Sequence, residues 1–311
     1  MTATRSLFIL LILALLAAVP WIFDSYVAGL VMRMLVWGLF AASFDLLFGY
    51  VGLLSLGHSV YFALGAYGAA WLVLGTGPGV ALPLLTGLGS GAAVAALIGL
   101  VAVRTGRHGV IILTAISALI AYLLAQNRAG LTGGDDGLTL PAMPLSIGDW
   151  GAGCAVPGPA YLLVLGIVAL GVLALYGLVR TPLGTAWRTT RENEDQASAL
   201  GYDTTRLKWL AFTISGAGAA LAGGLHALTN CYVSTGLFHW LVSADALIWT
   251  LFGGAGTLIG PLIGTGALVV IREALSGVWA NGYPILIGIV LLVVVRYLPG
   301  GLIGLLRRRS P

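Results

Sequence analysis

Charge is scarce in this chain. Asp, Glu, Lys and Arg together make up 8% of its 311 residues, against about 25% in a soluble domain. That leaves too little polar surface to wrap a globule in water. Soluble enzymes, nucleic-acid binders and secreted scaffolds are excluded on this ground alone. Long polar stretches are missing too, so no separate soluble domain fits, and any catalytic engine of ordinary size belongs on another polypeptide. Cysteine is nearly absent. Cys154 and Cys231 are the two present, and they lack metal-ligand spacing, so no metal site is expected. A disulfide between them in an oxidising compartment is left open by sequence.

What is there is apolar and small. Hydrophobic residues make up 59%, and mean hydropathy is +1.01. Glycine accounts for 46 residues, about twice the usual share of ~7%. In membranes small residues let helix backbones approach closely, so this composition points to a tightly packed all-α helix bundle with breaks.

A spanning helix needs about 20 apolar residues. Apolar runs lie at 7–19, 28–48, 53–75, 81–103, 110–127, 160–179, 209–228, 240–252, 257–271 and 283–298. The first run resembles a signal peptide, but Ala17-Ala18-Val19-Pro20 is a poor cleavage site, so an uncleaved first helix is expected. The runs on either side of Gly253–Gly256 also read as one helix, which gives nine crossings instead of ten. The positive-inside rule favours ten, with both termini cytoplasmic. Twelve basic residues then face the cytoplasm, among them Arg5, Arg104, Arg107, Arg296 and Arg307–Arg309, and three face outward: Arg33, Arg128 and Arg272.

Three segments depart from plain helix. Gly49–Ala70 interrupts two apolar runs with glycines and His58. Irregular backbone at membrane depth persists only where it packs in protein or lines a wet cavity, and transporters put such breaks near the solute path. Plain close packing through Gly57, Gly65 and Gly68 is the competing reading. Phe252–Pro261, with Gly253, Gly254 and Gly256, joins two further apolar pieces; it contains a G-x-G but lacks the strand and downstream acid of a dinucleotide site. The third segment, 180–208, carries nine charged residues of both signs. Within it Glu192–Leu200 reads as a short amphipathic helix, with Gly201 where a C-terminal cap belongs. Near-neutral charge favours a docking element over a lipid-binding basic patch. Asp45, inside the second run, reads as paired with a loop or helix end. Asp135-Asp136 marks a turn in the 128–158 loop, without further ligands spaced for a cation. His108, His226 and His239 read as interfacial or packing residues.

These residues resemble a family. Gly49–Ala70 is similar to the GYxGQxSLGHxxFFxxGAY signature of LivH/LivM-type permeases, the membrane subunits of branched-chain amino acid ABC importers. Gly254–Gly266 resembles their GGxGSxxGPxxGA segment, Leu131–Leu138 their LTGGxxGL loop, and Arg180–Lys208 their SPxGRALRAIRENExxAxALGxxxxxxK stretch. Leu53 stands where the family usually has Gln, which makes the path more apolar if that Gln touches solute.

The resemblance implies a single transmembrane permease domain over 1–311, multi-pass in the bacterial inner membrane, with 180–208 as cytoplasmic coupling loop and 128–158 as periplasmic loop. It implies translocation of a small solute, a branched-chain or other hydrophobic amino acid; urea, amides and aromatic acids are alternatives. An ion-coupled secondary carrier using Asp45 and His58, and an intramembrane enzyme, are the rivals from other classes. Expected partners are cytosolic ABC ATPase subunits, a second LivH-like permease (a homodimer being the alternative), a periplasmic substrate-binding protein and the lipid bilayer, with no nucleic acid. ATP and Mg sit on the partner subunits, and this chain is expected to bind no cofactor and to contribute no catalytic residue. The implied substrate pathway comprises Asp45, Ser55, Gly57, His58, Tyr61, Phe62, Gly253, Gly254, Gly256 and Pro261. The implied ATPase-coupling residues are Arg188, Arg191, Glu192, Glu194, Asp195, Ala197, Leu200 and Gly201.

Overall fold

The computed structural model describes residues 3–142, 145–147, 150–152, 157–276, 288, 296, 297 and 300–307. Helices dominate. In chain order they are α1 (Ala3–Ile22), α2 (Ser25–Asp45), α3 (His58–Thr76), α4 (Ala81–Ala102), α5 (Gly106–Asn127), α6 (Ala129–Thr132), α7 (Pro157–Leu178), α8 (Pro182–Glu192), α9 (Glu194–Ala199), α10 (Thr204–Asn230), α11 (Trp240–Gly253), α12 (Ile259–Ser276) and α13 (Gly301–Arg307). Four short strands pair as two ribbons. β1 (Leu138–Thr139) runs antiparallel to β4 (Tyr232–Val233) with Leu138 opposite Val233, and β2 (Leu145–Ile147) pairs with β3 (Trp150–Ala152).

Among the described residues six helical segments are long and apolar enough to cross a membrane: Ser25–Val51, His58–Thr76, Ala81–Ala102, Gly106–Asn127, Ala160–Leu178 and Thr204–Asn230. Leu11–Ile22 and Trp240–Gly253 are apolar but shorter. The chain is therefore an all-α, multi-pass membrane bundle. Cys154 and all but isolated positions of the run 283–298 lie outside the described residues.

The core is α3, α4 and α10 in mutual contact, with α2 laid against α10 and α12 against α2 and α11. Small residues make this trio possible. A Cβ on Gly65 would collide with the carbonyl of Ala220, and one on Gly223 with the carbonyl of Phe62. Backbone thus meets backbone with no side chain between them, the arrangement small residues permit in bilayers. Part of the glycine surplus goes into this contact.

Two of the boundaries that differ from the sequence expectation have a visible local cause. The run 53–75 is helical only from His58, because the chain between Gly52 and Gly57 has left the ladder. The run 209–228 extends to Thr204–Asn230: Asp203 accepts from the backbone N–H of Arg206 at 3.0 Å and starts the helix before the apolar stretch begins.

Candidate functional site

α2 does not end cleanly at Asp45. It passes into a π-helical stretch, Leu46–Val51, closed by Gly52 at φ +77°. π-turns are rare and mark places where a helix ladder is locally out of step. Opposite this stretch runs the glycine-rich break between α11 and α12. Gly254 (φ +120°), Gly256 (φ +76°) and Leu258 (φ +58°) all take positive φ, so three nearby N–H groups converge instead of continuing a helix.

Asp45 receives them. Its Oδ1 accepts from Gly256 N–H at 2.7 Å, and its Oδ2 accepts from Thr257 and Leu258 N–H at 3.1 and 3.0 Å. The side chain is fully buried, and a backbone concavity of this kind is a natural anion seat. Asp45 is thus paired with the start of a helix, and both carboxylate oxygens are engaged. Gly49 has to be glycine, since a Cβ there would overlap the Asp45 carboxylate. Gly253 and Gly260 cross at the same point, where a Cβ on either would strike backbone of the other arm. Pro261 sits buried in the first turn of α12, where its missing N–H costs little.

Ser55, His58, Tyr61 and Phe62 lie in the middle of the bundle, all fully buried. The His58 ring bonds Ser215 through Nε2 at 2.6 Å, and the Ser215 hydroxyl donates to the Ser43 carbonyl at 2.5 Å. With the Ser215 proton committed to Ser43, His58 carries its own proton on Nε2. The three residues tie α3, α10 and α2 together. The hydroxyl of Tyr61 has no hydrogen-bond partner among the described residues. Phe62 stacks on Trp37 at 4.7 Å, and Trp37 meets His226 and Trp249 edge-on at 5.2 and 5.5 Å. Gly57 packs against Thr114, whose hydroxyl accepts from Leu56 N–H at 3.0 Å.

The 180–208 segment is more ordered than a loop. The helix expected over Glu192–Leu200 is interrupted at Asn193, which is extended (φ −154°, ψ 106°) and caps α9 by accepting from Gln196 N–H at 3.0 Å. Asn favours such a capping position over a helix interior because its short amide competes for backbone groups. Gly201 closes α9 at φ +91°. Tyr202 N–H reaches the Ala197 carbonyl at 3.2 Å and Gly201 N–H the Ser198 carbonyl at 2.9 Å, the double bond pattern of a glycine-terminated helix.

One side of this turn faces the bundle and the other faces away. Ala197 and Trp187 are fully buried, and Trp187 Nε1 donates to the Leu207 carbonyl at 2.8 Å. Glu194 forms an ion pair with Lys208 and so ties α9 to the first turns of α10. Glu192 and Asp195 are exposed, as are Leu200 (69%) and Tyr202 (43%). These two side chains stand in the open beside the exposed acids.

Arg188 and Arg191 lead inward. The Arg188 guanidinium lies over the Tyr50 ring at 4.9 Å. Arg191 donates from Nη1 to the Gly49 carbonyl, and its stem covers Gly52. Its own carbonyl accepts from Arg107 Nη2 at 2.8 Å. The end of α8 is thus fastened to the π-turn, and the π-turn, through Asp45, to the glycine break. Arg188, Arg191 and the two glycine-rich segments, more than 200 positions apart at the extremes, form one continuous junction. Sequence reading missed Ser43, Ser215, Arg107 and Tyr202. For the first three no local pattern exists, since Ser215 and Arg107 act on backbone carbonyls far along the chain and Ser43 takes part through its own carbonyl, its hydroxyl bonding Phe40; Tyr202 was visible as an aromatic residue beside the cap glycine.

Comparison with known proteins places this architecture. Residues 25–295 match the family described as branched-chain amino acid transport system / permease component. The permease protein LivM of the high-affinity branched-chain amino acid transport system of Salmonella typhimurium is 30% identical over 98% of this chain and 76% of that protein. LivH of the same system in Escherichia coli is 28% identical over 86% of this chain and 91% of its own length. LsrC, an autoinducer 2 import system permease of Shigella flexneri, is 30% identical over 57% of this chain and 62% of that protein. No solved structure matches the chain. By the extent of the family match, this chain belongs to the branched-chain amino acid transport permease family.

Proposed function

We propose that this chain is the LivM-like permease subunit of an ATP-driven importer that moves a branched-chain or other hydrophobic amino acid across a bacterial inner membrane. In this reading ten helices cross the membrane, 283–298 being the last, and both termini are cytoplasmic. Residues 1–311 form one permease domain. A periplasmic binding protein delivers solute to the face that carries 128–158. A second, LivH-like permease completes the path. Two cytosolic ATPase subunits hold ATP and Mg and dock on 180–208, while this chain binds no cofactor and catalyses no step.

The observation that carries the reading is the Arg191 bridge from α8 to the Gly49 carbonyl, within a chain that matches an importer-permease family over most of its length. An ATPase that grips Leu200, Tyr202 and the exposed acids of α9 moves the α8–α9 turn together with the start of α10, to which the Glu194–Lys208 pair and the Trp187–Leu207 bond fasten it. Arg191 and Arg188 pass the motion to Leu46–Val51. That π-turn already departs from the α-helical ladder, so a change of register there costs little. Asp45 carries the shift on to the 253–261 break, the gate of the path. Ser55, Gly57, His58, Tyr61 and Phe62 form the buried wall against which the gate works, held by the His58–Ser215–Ser43 chain.

The test is Gly201→Trp. At φ +91° only glycine is at ease, and nothing lies within 4 Å of its missing Cβ. The substitution therefore distorts the exit of α9 and obstructs the docking face while leaving the bundle intact. Loss of ATPase co-purification, with unchanged thermal stability of the solubilised permease, is the expected result. Normal co-purification overturns the docking assignment. Uptake by the purified permease alone, driven by an ion gradient, overturns the ATP-driven reading.

A further inference from the structure

The surface of a membrane bundle sorts itself by what it must face. On α4, Leu97, Leu100 and Val101 stand exposed, and on α5 Ile112, Ile116 and Leu119 do. No Asp, Glu, Lys or Arg occurs between Ala81 and Val103 or between Gly109 and Asn127. That face is fit for acyl chains.

Both apolar faces end at one short turn, and the turn is cationic. Arg104 N–H returns to the Val101 carbonyl at 3.2 Å, so Arg104 stands just beyond the exposed end of α4. His108 precedes Ile112 by four residues and shares its side of α5. Between them Arg107 donates from Nη2 to the Arg191 carbonyl at 2.8 Å. Arg104, Arg107 and His108 are all exposed.

No acid balances this turn. The chain holds no Asp or Glu from Leu46 to Gly134, and among the described residues neither Arg104 nor Arg107 forms an ion pair. The partner that Arg107 does have is a neutral carbonyl, which uses one of the five guanidinium donors. The 180–208 segment carries both signs, whereas this turn carries cations alone.

We propose that the α4–α5 turn seats an anionic phospholipid of the cytoplasmic leaflet. The lipid phosphate lies between Arg104 and Arg107, whose planar forks suit two-point contact with phosphate oxygens. The acyl chains lie along the exposed faces of α4 and α5. Cationic turn and apolar face are continuous, and a lipid supplies the anion and the hydrocarbon in one molecule. The cytoplasmic leaflet is also where the negative surface potential draws such residues. Through Arg107 the lipid reaches the coupling junction: it fixes the side chain that holds the end of α8, and so steadies the Arg191 bridge to Gly49. This last step rests on the transport reading above; the lipid seat does not.

The experiment uses the assembled permease–ATPase complex. Phosphatidylglycerol and phosphatidylcholine retained on the detergent-solubilised complex are counted by native mass spectrometry. Phosphatidylglycerol is expected to be retained about fivefold or more over phosphatidylcholine, and Arg104→Gln or Arg107→Gln should each cut that preference about fivefold, the value of one arginine near an anionic surface. Arg104→Lys should keep part of it. Arg180→Gln serves as the control for general surface charge, since Arg180 lies over Tyr176 on α7, a helix packed on α1 and α2; it should leave the preference intact. Equal retention of both lipids by the wild-type complex overturns the proposal, as does an equal loss in Arg180→Gln. Loss of ATPase co-purification in Arg104→Gln with the lipid preference kept overturns it in favour of a protein partner. ATP-driven uptake is then compared in vesicles of phosphatidylcholine alone, with phosphatidylglycerol added, and with inorganic phosphate added instead. Uptake should rise with phosphatidylglycerol, and Arg104→Gln should flatten the rise. An equal rise with inorganic phosphate overturns the lipid as the source of the anion. Uptake absent from all three counts against the transport reading alone, because lipid retention is read without transport.

Discussion

Asp45→Asn separates a structural carboxylate from a coupling one. The native side chain accepts three backbone N–H bonds, at 2.7, 3.1 and 3.0 Å, in a fully buried setting. Asparagine keeps one acceptor oxygen. Turned toward Thr257 and Leu258, it saves two bonds in uncharged form and points its amide donors at Gly256 N–H. Leaving that donor unmatched costs about 1–3 kcal/mol, and losing the charge on two further bonds costs about 1 kcal/mol each. Asparagine is cheaper to bury than a carboxylate, which offsets part of this. The net expectation is a loss of about 2–4 kcal/mol, or roughly a 10 °C fall in Tm. The assay is thermal unfolding of the solubilised permease, with Asp45→Ala as the more severe comparison because no acceptor remains. ATP-driven uptake should fall in step with stability. Wild-type stability in Asp45→Asn, combined with loss of uptake, would refute the anchoring argument and return Asp45 to the role of a titrating residue in an ion-coupled carrier.

Arg191→Ala removes the bridge to Gly49 and uncovers Gly52; ATPase co-purification and ATP turnover should persist while solute moved per ATP drops about five- to thirty-fold, the equivalent of about 1–2 kcal/mol, and a parallel loss of co-purification would reassign Arg191 to docking. Gly65→Val places side-chain atoms where the Ala220 carbonyl stands, so folded protein should be nearly absent from detergent extracts; recovery of wild-type yield would mean that the α3–α10 contact is looser than drawn. Cys231 is disulfide-bonded, so a membrane-impermeant maleimide should label it in intact spheroplasts only after reductant; labelling without reductant contradicts the bond, and labelling only after permeabilisation contradicts an outward position.

The bundle was readable from composition because the bilayer imposes a length and a polarity on every span, and both are local properties of sequence. The two glycine-rich breaks were readable for the same reason: positive-φ backbone needs glycine, and Gly52, Gly254 and Gly256 stand where it is needed. The end of α9 at Gly201 was equally local. The contacts that fasten these pieces were not. Asp45 could be read as paired, but its partners are backbone N–H groups more than 200 positions away, and backbone donors leave no trace in a residue pattern. Asn193 inside a charged amphipathic stretch was passed over because the periodicity on either side continues through it; its capping bond decided the break.

The junction of Asp45, Gly49 and Arg191 gives the scarcity of charge a physical reason. A charged group inside a membrane bundle is costly unless partners fully answer it, and a group so answered couples the elements that answer it. Asp45 binds the break to α2, and Arg191 binds α8 to the same turn of α2. Removing either leaves the other without its frame, since Gly49 separates them by a single backbone carbonyl. The glycines serve the same end from the opposite direction. Where Gly65, Gly223, Gly253 and Gly260 bring backbones into contact, there is no side-chain layer to absorb a displacement, so a shift at one helix is felt by its neighbour. A chain with more side-chain bulk would be easier to pack and would transmit less. Asp45 and Arg191, each committed to backbone across a long sequence interval, and glycines at crossings together leave little slack between these helices.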